Sequence, residues 1–227
     1  MHKAEKATGV DWFARVTAIL GLIVAGVAVL LPYFQTEADK REHLTIVAVP
    51  ERPDGIIRLS ADESKSQAVQ IPWVVTLSNT GRTKLSVVSY QAVELIGDSG
   101  ISSFPGLDGG LTDRMNKTVT LPLTLDAGES TSLRIYLGFI PTRQIAELLR
   151  SMYAARGRVT AGETFVALAE QGLTIYGGKA TMREDDGARA VTIDAESQPR
   201  PPIYGLICRT GRNQEFSTTI QEYRFNQ

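Results

Sequence analysis

Cysteine is almost absent from this chain: Cys208 stands alone among 227 residues. A single thiol excludes an intrachain disulfide and any multi-cysteine metal site. Its neighbours Leu206 and Ile207 mark it as a small buried hydrophobe in a strand rather than a reactive thiol. Histidine is nearly as scarce, with only His2 and His43. Nucleophilic catalysis needs a base within hydrogen-bond reach of its nucleophile. A Ser–His or Cys–His pair would therefore have to recruit His43, and the same shortage disfavours zinc. No Gly-x-Ser-x-Gly elbow occurs. Net charge is -1 with no clustered basic face, which argues against nucleic acid as a partner. Glycines 97, 100, 106, 109 and 110 do not join a strand to a helix, so a phosphate cradle has no helix N-terminus to use. No cofactor and no metal are expected, and the chain is not expected to be an enzyme.

Carboxylates are the remaining chemistry. Asp108-Gly109-Gly110-Leu111-Thr112-Asp113 and Glu184-Asp185-Asp186-Gly187 are acidic turns, and neither has the oxygen-ligand spacing of a calcium loop. A hydrolase built on a carboxylate pair stays open as an alternative, without any spacing that marks one.

What the chain does have is an uncharged run from Val16 to Phe34. At 1.5 Å per residue its ~19 residues cover roughly 28 Å, close to the ~30 Å hydrocarbon core of a bilayer. Trp12 and Phe13 flank one end, Tyr33 and Phe34 the other. The run is longer than a signal-peptide core, and Gly26-Val27-Ala28 lies inside it rather than after it. These features predict an uncleaved single-pass helix over residues 12–34, preceded by a polar tail (1–11) and followed by a charged linker (35–42). The cations Lys3, Lys6 and Arg15 put the N-terminus in the cytoplasm and the body outside it, in the inner membrane. A cytoplasm-facing regulatory subunit is the same layout reversed. Ala14, Ala18, Gly21, Ala25 and Ala28 are spaced 4, 3, 4, 3 and form one seam on the helix. Such a seam lets two helix backbones approach closely, so the expected partners are the lipid bilayer and a second copy or another membrane protein.

From residue 43 to residue 227 the period changes to two. Ile71, Trp73, Val75 and Leu77 alternate with smaller or polar residues, as do Val119 to Leu125 and Leu133 to Phe139. Asn79-Thr80-Gly81 and Asp126-Ala127-Gly128-Glu129 read as turns. Further strands are expected at 43–49, 55–60, 85–96, 173–176, 190–194, 204–209 and 216–223.

VVTLSNTGRTKLSVVSY followed by LPLTLDAGESTSLRIYL resembles the membrane-anchored, immunoglobulin-like β-sandwich modules of bacterial envelope proteins. The resemblance covers residues 70–140. It implies a mainly β fold, an antiparallel sandwich behind one transmembrane helix, and no activity or binding residue.

Thr142–Arg156 places Ile145, Leu148, Leu149, Met152 and Tyr153 on one helical stripe, and Thr160-Ala161-Gly162-Glu163 matches a capping box. A helical insertion over about 142–171 should close an open end of the sandwich. The Gly/Ser-rich stretch 97–116, with Phe104, Leu107 and Leu111, is the expected partner loop, since loops on rigid scaffolds carry recognition. The resulting expectation is a membrane-anchored binding or accessory protein.

Overall fold

The computed structural model describes residues 10–39, 41–60, 68–97, 99–185, 188–197 and 199–221; side chains at 10, 11, 13, 14, 31–39, 184, 185, 188, 189 and 195 are outside the description. One long helix, α1 (Val10–Asp39), leads into two antiparallel β-sheets.

The larger sheet is built on β3 (Val69–Asn79), which is hydrogen-bonded along one side to β8 (Ser130–Phe139). Along the other side it holds β1 (Leu44–Pro50) at its C-terminal end and β2 (Ile56–Leu59) at its N-terminal end. β6 (Asp108–Thr112) continues the sheet beyond β8, and β9 (Val159–Thr160) continues it beyond β2. Pro72 sits inside this central strand, where a missing N–H would normally break the ladder. Its carbonyl accepts from Glu51 N at 3.2 Å. In an extended strand N and C=O of one residue point to the same side, so the missing donor faces the gap where β1 has ended and β2 has not begun.

The second sheet runs β13 (Glu215–Gln221), β12 (Ile203–Thr210), β4 (Leu85–Ile96), β5 (Gly100–Ser102), with β7 (Leu123–Leu125) also on β4. β10 (Ala180–Asp185) and β11 (Ala188–Ile193) form a separate hairpin. The two sheets share one core. Ile71, Trp73, Val75, Leu77, Leu133, Ile135 and Leu137 come from the first, and Leu85, Val87, Tyr204, Leu206 and Cys208 from the second. The alternation in the sequence is this inward-facing set.

α2 (Arg143–Arg156) and α3 (Ala161–Glu170) pack at the β2–β9 end. Gly157, at φ 71°, caps α2 by donating to Tyr153 O, and Thr160 with Glu163 forms the capping box of α3. Ile145, Leu149 and Leu168 are part of the core, so the helices seal the sandwich. Tyr153 donates its hydroxyl to Ile57 O and is spent on that contact.

Three expectations need correction. Among the described residues no helix is long and apolar enough to cross a membrane. The transmembrane helix over 12–34, the single-pass membrane character and the inner-membrane placement with an extracytoplasmic body are therefore set aside; the fold is mainly β with antiparallel sheets. Residues 97–116 contain β5 and β6 and are not a long open loop. Residues 173–176 form no strand beyond an isolated bridge from Leu173 to Lys179.

Candidate functional site

Side chains that could do chemistry are mostly spent on structure. Asp108 Oδ1 accepts from Tyr90 OH at 3.1 Å and from Gly110 N at 2.8 Å, and Asp113 Oδ1 accepts from the backbone of Met115 and Lys117. Both carboxylates are making turns. Asp186 and Gly187 of the second acidic turn lie outside the described residues. Among the described residues no group of three or more His, Cys, Asp or Glu could hold a metal ion. The buried Glu42 accepts from Thr210 Oγ1 and has Arg212 Nε at 4.0 Å, fastening the segment after α1 to the β12–β13 turn.

Cys208 faces the core, and burial pushes its thiol up to about 11 from 9.0. Its ordinary thiol pKa is recovered on unfolding, so the unfolded chain releases the proton first. Stability from this group is therefore full below about pH 9 and falls as pH rises toward 11. Native protein should resist a thiol reagent at pH 8 and react stoichiometrically only in denaturant. Fast labelling of native protein would contradict the burial.

The expected partner loop is placed differently from its reading in the sequence. Leu107 and Leu111 are 1% and 7% exposed and belong to the core, and Phe104 packs against it. The structure brings these three together inside the sandwich. Gly106 and Gly109 explain the segment: a Cβ on Gly109 would stand 2.6 Å from Tyr136 Cβ, and one on Gly106 2.9 Å from Ala68 Cβ. These glycines permit close approach to the sheet rather than a loose connection.

Of the helix seam, Ala18, Gly21, Ala25 and Ala28 lie on an α1 whose described side chains stand outside the core, while the Ala14 side chain is outside the description. Nothing lies within 4 Å of a Cβ built at Gly21 or Gly26. Leu22 is 77% exposed and Val29 74%, with Ile19, Ile23 and Val24 also exposed. The apolar surface thus extends around the helix, beyond the seam.

One arrangement was invisible in the sequence. Register places Val49 opposite Val74, and Val74 opposite Arg134, in one row across the outer face of the larger sheet. Arg134 Nε meets Glu51 Oε2 at 2.6 Å, with side chains only 17% and 13% exposed, and its Nη1 reaches Asn116 Oδ1 at 2.5 Å. Burial opposes the Arg134 charge, but the hydrogen bond and charge of Glu51 outweigh it and hold the guanidinium above its usual range. A cleft of about 510 Å³ opens over this row, between the 51–55 turn and the 113–117 turn. No signal short of the register itself links these positions. No protein-family model matches this chain, and no curated protein matches it either.

Proposed function

We propose that the chain is a binding or accessory module, with the sandwich as a rigid scaffold and α1 as the element through which it associates. The observation that carries this reading is the exposure of apolar side chains all around α1, Leu22 and Val29 above all. Fully burying one such side chain is worth ~1.5–3 kcal/mol, so a helix of this kind is stable only where something covers it. The seam Ala18–Gly21–Ala25–Ala28 offers a line along which a second helix backbone can approach, and a second copy of the chain is the partner it suits. The carboxylate-hydrolase alternative finds less support, because Glu51 is engaged by Arg134 and Glu42 by Thr210.

The seam can be closed without changing apolarity. Gly21→Leu together with Ala25→Leu meets no obstruction at Gly21 within the chain. Crosslinking of the full chain at micromolar concentration should give dimers, and the double variant should lose them by about tenfold or more while its sandwich melts unchanged. A wild-type chain that sediments as a monomer overturns the reading. Dimers unaffected by the double variant remove the seam, and adsorption to phospholipid vesicles without self-association assigns the apolar surface to lipid instead.

A further inference from the structure

The cleft on the outer face of the larger sheet is separate from α1 and has a chemistry of its own. Its ~510 Å³ falls within the ~300–1,000 Å³ typical of small-molecule sites. One wall is apolar: Val49, Pro50 and Val74, with Val49 half exposed. The other wall is cationic. Arg52, Arg114 and Arg134 face Glu51 and Asp54, and Glu51 is already taken by Arg134. Arg52 and Arg114 are thus left against Asp54, a surplus of positive charge at the rim. Nε of Arg134 is on Glu51 and Nη1 on Asn116, and Tyr136 is hydrogen-bonded to the same guanidinium, so the cation is fixed in place at the cleft. Because Glu51 and Asn116 already hold the guanidinium, its rotamer entropy is lost before anything binds, which is preorganisation.

We propose that this cleft binds an amphipathic anion: a small molecule with a carboxylate or phosphate group set against Arg134 and Arg114, and an aliphatic body lying over Val74 and Val49. Arg134 and Val49 are separated by one intervening strand, so at ~4.8 Å per strand the two halves of the ligand sit about 10 Å apart. A planar guanidinium suits either oxyanion, since both present paired oxygens to its fork. Val49 lies five positions along β1 from Leu44, about 16 Å from the strand start that follows α1.

Calorimetric titration of the full chain with octyl phosphate, octanoate, inorganic phosphate and octanol tests this. One of the two amphipathic anions should bind at a single site, with inorganic phosphate and octanol about tenfold weaker or more. The pair distinguishes phosphate from carboxylate. Arg114→Gln should weaken binding by about threefold and Val49→Asp by about tenfold. Both positions are exposed enough to leave unfolding unchanged, which a melt of each variant checks. Absence of saturable binding overturns the proposal. So does binding that survives both substitutions, because that ligand is adhering to α1.

Discussion

Asn79→Asp should destabilise the sandwich by on the order of 4 kcal/mol at pH 7, more than Asn79→Ala at about 2–3 kcal/mol. Asn79 ends β3 and is 1% exposed. Its Nδ2 donates to Thr83 O at 2.9 Å, Leu125 O at 3.1 Å and Asp126 O at 3.0 Å, while Oδ1 accepts from Gly81 N at 3.0 Å. Its backbone is paired as well, to Glu129 O and Gly128 N. One amide thus ties together the β3–β4 turn, the end of β7 and the turn into β8. Alanine removes the ties and leaves buried carbonyls unpaired. Aspartate is worse, because it turns the donor into an oxygen aimed at three carbonyls and places a charge where only a donor fits. That repulsion and burial raise the carboxyl above its unfolded value of about 3.9. A raised folded pKa means stability is retained at low pH and lost as pH rises through the folded value. Urea unfolding should accordingly show Asn79→Asp close to Asn79→Ala at pH 4 and clearly weaker at pH 7. Equal stability of the two variants at both pH values would mean that the carbonyls are not what the amide is holding.

That knot shows how far the sequence can be read. Asn79-Thr80-Gly81 is legible as a turn, because these residue types tolerate positive φ. None of the three adopts one. Asn79 is there for its side chain, and Gly81 because a Cβ would stand 3.2 Å from Asn79 Oδ1 and 3.3 Å from His43 N. Alternation identified Ile71, Trp73, Val75 and Leu77 as the inward face because a pleated strand forces period two. β10 went unread because Gly177, Gly178 and Lys179 precede it and its end is acidic, all signals of a loop. The apolar run predicts a helix, and α1 is one, but an apolar composition does not by itself make a membrane span. The cleft residues are separated by 25 positions from Val49 to Val74 and 60 from Val74 to Arg134, and only strand register places them in one row. Local patterns report local geometry; long-range pairing carries no such mark.

Gly138→Ala is the substitution expected to cost most, at least about 4 kcal/mol, which for a chain of this size lowers Tm by roughly 10 °C or more. A Cβ at this point of β8 would stand 2.0 Å from Gly106 O, 2.9 Å from Gly106 C and 3.3 Å from Leu107 Cα. All three are backbone atoms, so no side chain can swing aside. Nor can the crossing segment retreat. Gln70 Nε2 donates to Gly106 O at 2.9 Å, Gly138 N donates to Leu107 O at 2.8 Å, and the Leu107 side chain is in the core. Tyr204 OH, from the opposite sheet, donates to Gly138 O at 3.2 Å, so a shift of β8 would break the bond across the sandwich. Gly26→Ala is the matched control. Nothing lies within 4 Å of its Cβ, and a helix gains about 1 kcal/mol locally from that change, so the sandwich should melt as in the wild type. Differential scanning calorimetry of the two variants separates clash from composition. Should Gly138→Ala melt within a degree or two of the wild type, the 104–108 segment does not cross β8. Phe104, Leu107 and Leu111 would then be free to meet a partner, as the glycine-rich sequence around them first suggests.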